Sequence, residues 1–105
     1  MTAGEQKRDF VHIDDAVEAF RIAAEINLNG IYNLGSGTAV KMKDVALLAQ
    51  NLCAKQGLLK VGDLPYRENE SFEYCLCSDK IYRQTGWKAQ TSLKDGLCEM
   101  IKAGC

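Results

Sequence analysis

An α/β fold, with α+β as the alternative, is what this sequence predicts. Two observations carry that prediction. First, Arg8-Asp9-Phe10-Val11-His12-Ile13-Asp14-Asp15 reads as a strand that runs straight into an apolar-periodic helix. Second, strand-like and helix-like segments go on alternating downstream, the pattern of sheets covered by helices. The 105 residues are 47% apolar with a single proline, which suits one small folded domain over 1–105 rather than a disordered linker.

The elements follow in order. In the opening strand Arg8, Phe10 and His12 alternate onto one face, and Asp9, Val11 and Ile13 onto the other. Asp14 and Asp15 then offer N-cap and first-turn carboxylates to a helix over about residues 14–26. Ile13, Val17, Phe20 and Ala24 mark its predicted buried stripe, and Asn27 and Asn29-Gly30 end it. Residues 30–34 read as a short strand halted by Gly35-Ser36-Gly37. A second helix is predicted over about 42–56, with Met42, Val45, Ala49, Leu52 and Cys53 inward and Gly57 just past its end. Lys41 is a poor cap for it, and Thr38 is the better candidate.

Residues 58–63 suit a short strand or extended piece, and Pro65 keeps Leu64 out of helix. Residues 73–77 suit another extended segment. Ser78 is a natural N-cap for a short helix to about Thr85, closed by Gly86. Ser92-Leu93-Lys94-Asp95 resembles a capping box with Asp in place of Glu. It opens a last helix with Leu93, Leu97 and Ile101 on one face.

Charge and composition exclude several functions. The net charge is −1, from 13 basic and 14 acidic residues, so no field favours nucleic acid or a membrane surface. No apolar run approaches the roughly 20 residues that span a bilayer. No signal-peptide pattern opens the chain, so a cytoplasmic location is expected. The five cysteines, Cys53, Cys75, Cys77, Cys98 and Cys105, are odd in number and irregular in spacing, which argues for reduced thiols rather than a disulfide framework. Cys75-Leu76-Cys77 can nominally chelate a metal, but one histidine and no second cysteine pair make packing the favoured role, and no metal site is predicted.

The chemistry-bearing residues are few. A guanidinium at a strand–helix junction, such as Arg8, suits bidentate binding of a phosphate or carboxylate. Residues 30–37 fail as a P-loop, because no Lys-Ser/Thr pair follows the second glycine. They are half a dinucleotide fingerprint, with Val40 where the third glycine belongs, and a turn needing positive φ is the favoured reading. His12, the only histidine, lacks a nucleophile at a recognisable spacing and is expected to be structural or ligand-lining. Asp14 and Asp15 suit helix capping better than a catalytic pair. In the loop Leu64-Pro65-Tyr66-Arg67-Glu68-Asn69-Glu70, Arg67 can clamp a phosphate and Glu70 can accept from a sugar diol, although in isolation a solvated loop is the favoured reading. Trp87, just past Gly86, is expected to anchor packing.

Together these segments resemble the C-terminal part of an extended short-chain dehydrogenase/reductase of the NAD-dependent epimerase/dehydratase family, whose members modify nucleotide sugars. Residues 8–15 resemble its R-D-F-[VI]-[YH]-[VI]-D-D segment, and residues 31–37 its Y-N-[IL]-G-[ST]-G segment. Residues 64–70 resemble its R-x-x-[DE] loop. Ser78-Asp79-Lys80 through Gly86-Trp87-Lys88, then Ser92 to Leu97, resemble its closing S-K…L-G-W-K-P…S-L-E-E-G-L. Four loose motifs in the right order cover nearly the whole chain.

The resemblance implies a role for each matching residue. Arg8 stands at the arginine that binds the diphosphate of the nucleotide sugar. Arg67 stands at a second phosphate-binding arginine, and Glu70 at the acid that hydrogen-bonds the nucleotide ribose. Glu70 replaces a frequent Asp, which changes its reach; Ala89 and Gln90 depart from the pattern only at a turn. The family's G-x-x-G-x-x-G fingerprint and Tyr-x-x-x-Lys pair are absent: Tyr32, Tyr66, Tyr74 and Tyr82 have no lysine four residues on. The resemblance therefore implies a Rossmann-type fold whose N-terminal dinucleotide-binding core is missing. NAD(P) is implied for the full-length enzyme, with no cofactor-binding or catalytic residue in this chain. Met1 falls partway through what is continuous sequence in such enzymes, which implies a truncated piece of one. The alternative is a non-catalytic remnant that self-associates or binds a protein partner, because the family packs this region against its Rossmann domain and apolar faces are left over without it.

Overall fold

The computed structural model describes residues 1–53 and 59–104. Its centre is strand β1 (Lys7–Asp9), flanked in a three-stranded sheet by β2 (Ala39–Lys41) and β3 (Glu73–Tyr74) in the order β2-β1-β3. β2 runs antiparallel to β1 with Val40 opposite Arg8, and β3 runs parallel to it with Tyr74 opposite Arg8. Among the described residues, four helices complete the α/β arrangement: α1 (Ile13–Glu25), α2 (Met42–Cys53), α3 (Asp79–Thr85) and α4 (Leu93–Gly104).

The opening strand is shorter than the alternation predicts. β1 stops at Asp9, and His12, not an aspartate, is the N-cap of α1: its Nδ1 accepts from the Asp14 N–H at 3.1 Å. Asp14 and Asp15 do lie in the first turn, where carboxylates favour the positive end of the helix dipole. Asp15 is buried and has a second task. Its Oδ2 accepts from the N–H groups of Gln90 (3.1 Å) and Thr91 (2.9 Å), and its backbone oxygen accepts from Trp87 Nε1 at 2.8 Å. One turn of α1 thus holds the segment between α3 and α4. At the other end Asn27 takes positive φ, and the Leu28 N–H reaches back to the Ala23 oxygen at 2.9 Å, the bond that closes a helix through a left-handed residue.

The buried core holds Ala19, Ile81 and Trp87, with Val11, Ile22, Leu28, Tyr32, Leu34 and Ala89 packed against it. Trp87 is the packing anchor that its place after Gly86 predicts. The predicted stripe of α1 is corrected, however. Ile13, Val17 and Phe20 are 67%, 56% and 69% exposed. The helix has two apolar faces, a small one through Ala19 and Ile22 and a large one through Ile13, Val17 and Phe20. Among the described residues it is the face with Ala19 and Ile22 that meets the core, while the larger one stays exposed.

Other expectations shift for similar reasons. Residues 31–34 form no strand, since β1 already has a partner on each edge. Their alternation survives without a ladder: Tyr32 and Leu34 pack on the core while Ile31 is exposed. Residues 59–63 form no strand either. They make a turn held by the amino terminus, with Met1 N donating to the Lys60 oxygen at 2.9 Å and the Gly62 N–H to the Thr2 oxygen at 3.0 Å. Of the extended piece predicted over 73–77, only β3 is strand. Thr38 does not cap α2, because β2 lies between them and runs straight into the helix. Gln56, Gly57 and Leu58, where the end of the second helix and the start of the next piece were expected, lie outside the described residues.

The closing segments match the sequence more closely. α3 ends on Gly86 in the left-handed conformation (φ 78°), although Ser78 at its start spends its hydroxyl elsewhere. The Asp95 N–H donates to Ser92 Oγ at 3.1 Å, the serine half of a capping box. Leu93, Leu97 and Ile101 of α4 are partly buried, and α4 packs on α2. The molecule is a flat body of 48 × 35 × 16 Å with a radius of gyration of 16.2 Å. A compact domain of this length has about 13 Å. No described helix is long and apolar enough to cross a membrane.

Candidate functional site

Arg8, Arg67 and Glu70 come from distant parts of the sequence and converge. Arg8 sits in the middle of β1, held between two neighbouring strands. One arm of its guanidinium, Nη1, donates to the Lys7 oxygen at 2.8 Å; the other, Nη2, reaches Glu70 Oε1 at 3.3 Å. Arg67 Nε donates to Glu70 Oε2 at 3.1 Å. Each carboxylate oxygen of Glu70 therefore faces one arginine. The Glu70 side chain is only 6% exposed, that of Arg8 26% and that of Arg67 85%.

Local sequence explains the geometry. The Glu70 N–H donates to the Arg67 oxygen at 3.2 Å, closing a four-residue turn in which Asn69 takes positive φ (64°). Asn tolerates that conformation better than other non-glycine residues. The turn explains the R-x-x-E spacing: it brings both side chains to one side. The loop is pinned to the start of β1. Tyr66 Oη accepts from the Glu5 N–H at 3.0 Å, and the Lys7 N–H donates to the Phe72 oxygen at 2.8 Å. The Tyr66 and Phe72 rings meet edge to face with centroids 4.8 Å apart.

The cluster carries two guanidinium groups and one carboxylate, a net +1 in a small area. Arg67, mostly solvated, can swing toward an anion. Arg8 is fixed by its strand and offers a planar fork at a defined place. Such a pair can hold a diphosphate, and a carboxylate between them can accept from hydroxyl groups.

Of two residues that sequence reasoning passed over, one supports this cluster and the other a neighbouring turn. Gln6 precedes Arg8 by two and so shares its strand face; that alternation was the available signal. Its Nε2 lies 3.4 Å from both Thr2 Oγ1 and Glu70 Oε1. Asp9, on the opposite face, binds the turn after Leu34. It accepts from the hydroxyl and N–H of Ser36, from the Gly37 N–H at 3.2 Å and from the Leu76 N–H at 3.3 Å. Burial pushes the Asp9 carboxyl up, but the bonds from Ser36, Leu76 and Gly37 outweigh it and hold the group below the usual carboxylate range.

The glycine turn is also settled by this packing. Gly37 takes positive φ (82°), as expected of the turn, and the turn leads into β2 rather than a helix. Gly35 is needed for another reason: a Cβ there would lie 2.5 Å from the Leu76 oxygen and 2.7 Å from Asp9 Oδ2. NAD(P) does not fit this turn. A pyrophosphate needs free backbone N–H groups at a helix N-terminus. Here the Gly35 N–H donates to Ser78 Oγ at 2.6 Å, and those of Ser36 and Gly37 donate to Asp9.

His12 caps α1 and also lines a cavity with Phe10, Thr91 and Leu93. Its side chain is 8% exposed, one nitrogen caps α1, and the other lies 3.5 Å from Glu99. Potential ligand atoms of His12, Asp14 and Glu99 lie within 4.8 Å of one another, but the bond from the Asp14 N–H already occupies the Nδ1 lone pair. Cys75 and Cys77 are exposed. Desolvation and the Asp9 carboxylate push the Cys75 thiol up, which opposes the thiolate that metal binding needs.

Residues 1–35 match the model of the NAD dependent epimerase/dehydratase family. Over 108 residues the chain is 31% identical to CDP-abequose synthase of Salmonella typhimurium, covering 96% of this chain and 36% of that protein. The crystal structure of UDP-glucose 4-epimerase from Thermotoga maritima with UDP-glucose superposes with a TM-score of 0.82 at 25% identity, covering 94% of this chain and 31% of that one. The Bordetella bronchiseptica enzyme WbmF, solved with NADH, gives 0.77 at 25% identity, covering 98% and 31%. These findings support the resemblance to a C-terminal part of an extended short-chain dehydrogenase/reductase of the NAD dependent epimerase/dehydratase family. It spans about a third of the length of the relatives it matches.

Proposed function

We propose that residues 1–105 form a single nucleotide-sugar-binding unit of an NAD(P)-dependent sugar epimerase, dehydratase or reductase. Arg8 and Arg67 hold the diphosphate, and Glu70 accepts from the ribose hydroxyls. The observation that carries this reading is the convergence of these three side chains from β1 and the 67–70 turn. Two relatives support it in kind: one is named for a CDP-sugar product, and the other was solved with UDP-glucose. The chain binds and orients the substrate and performs no hydride transfer alone. The sequence holds no Tyr-x-x-x-Lys pair, and the backbone donors of the glycine turn are already engaged. Binding energy from the diphosphate would position the sugar for groups supplied by the rest of the enzyme. Calorimetric titration with nucleoside diphosphates and the parent nucleosides tests this. Binding that requires the diphosphate is expected; equal affinity for the bare nucleoside would reject the two-arginine seat.

A second reading rests on the exposed face of α1. Ile13, Val17 and Phe20 form a contiguous apolar stripe, the kind of surface that soluble proteins cover. In this reading the stripe docks against the Rossmann part of the enzyme or, in its absence, against a second copy of the chain.

A further inference from the structure

Gln6 is placed oddly for a merely structural side chain. Its Oε1 is buried and has no hydrogen-bond partner, while its Nε2 is directed at Glu70 and Thr2, 3.4 Å from each. Reversing the amide would set Oε1 against the Glu70 carboxylate, two acceptors face to face. The amide orientation is therefore dictated by what Glu70 needs, at the cost of an unsatisfied carbonyl.

The need is clear from the charges. Glu70 is almost fully buried, and its other neighbours are the two arginines. An anionic ligand that recruits Arg8 and Arg67 draws donors away from Glu70. A buried carboxylate stripped of donors is costly and would move. A neutral amide is drawn to the ligand's phosphates far less strongly than a guanidinium and stays where it is.

We propose that Gln6 is a positioning residue that holds the Glu70 carboxylate in place while the arginines engage a diphosphate. One carboxylate oxygen is kept by the Gln6 amide. The other, released by Arg67, then accepts from a ribose hydroxyl. This rests on the nucleotide-sugar reading above. Arg8 and Arg67 supply affinity for phosphate, and Gln6 acts only through Glu70 on the ribose.

The test is titration of the whole chain with ADP, CDP, GDP and UDP, then of the best binder against its 2′-deoxy counterpart. Wild type is expected to prefer the ribose form by about tenfold, the worth of one charge-assisted hydrogen bond. Gln6→Met, which keeps the length and removes the orphaned carbonyl, is expected to lose most of that preference while binding inorganic pyrophosphate as wild type does. It should also melt no lower than wild type, and its melting temperature reports that the fold is intact. Gln6→Glu provides a second variant: it should lose the preference at pH 8 and recover part of it at pH 5, where the new carboxyl regains a proton to donate. If Gln6→Met keeps the ribose preference, the positioning role is overturned while the nucleotide reading stands. Wild type that binds none of the four diphosphates overturns both.

Discussion

Arg8 Nη2 and Glu70 Oε1 lie 3.3 Å apart although 62 positions separate them in sequence. The contact joins the central strand of the sheet to the 67–70 turn, and it sets a carboxylate where an anion would otherwise sit. Glu70 therefore has two opposed effects. It pre-orders both arginines, and it competes with phosphate for them.

Glu70→Gln separates these effects. The substitution removes the competing charge, so affinity for inorganic pyrophosphate should rise several-fold. Affinity for the nucleoside portion should fall, because a carboxylate acceptor is lost. Stability should drop by about 1–3 kcal/mol, the usual value of hydrogen bonds to a charged group. Calorimetry with pyrophosphate and with a nucleoside diphosphate, beside thermal melting, measures all three. An unchanged pyrophosphate affinity would show that Glu70 does not hold the arginines in solution.

Asp9 governs acid stability. Its folded carboxyl lies below the ordinary value of 3.8, so its contribution is fully present above that pH. As pH falls below about 4 and through the lower folded value, the proton taken up weakens the bonds to Ser36, Gly37 and Leu76, and stability is lost. Asp9→Asn should cost about 1–3 kcal/mol at pH 7 and flatten this acid limb. Urea denaturation between pH 2 and pH 7 checks it. Parallel curves for the two proteins below pH 4 would count against Asp9 as the titrating group.

Gly35→Ala should be among the most damaging small substitutions. The added methyl meets the Leu76 oxygen and Asp9 Oδ2 at distances that real Cβ atoms do not keep. Overpacking of this kind costs roughly 1–3 kcal/mol. Gly37→Ala meets nothing within 4 Å and is strained only by its positive φ, so it should cost less. Comparing the two melting temperatures decides the order.

The exposed stripe of α1 predicts association. Val17→Ser with Phe20→Ser should shift sedimentation toward a monomer without lowering the melting temperature, because neither side chain belongs to the core. A wild-type chain that stays monomeric at high concentration would remove the second-copy version of that reading.

Much of the architecture was legible in the sequence, and the failures have identifiable causes. Caps and turn residues are local, so Asn27, Gly86 and Ser92 end or open helices where their chemistry says they should. Arg8, Arg67 and Glu70 could be named singly from motif resemblance; their meeting is a tertiary fact, produced by the Asn69 turn and the Tyr66 and Phe72 contacts. The α1 stripe was misassigned because periodicity reports that a face is apolar, not which of two apolar faces this chain covers. The 30–34 strand failed because strand propensity needs a free neighbouring edge, which β1 does not offer. Gln6 and Asp9 were passed over since strand alternation gives only the face of a polar residue, not its partners.

The central claim is that Arg8 and Arg67 together seat a nucleoside diphosphate. Titration of wild type, Arg8→Ala, Arg67→Ala and the double variant with one nucleoside diphosphate tests it most directly. Each single substitution should weaken binding by roughly tenfold or more, with Arg8→Ala the larger loss because its guanidinium is fixed by the sheet, and the double variant should abolish measurable binding. A double variant that binds as tightly as wild type would contradict the account.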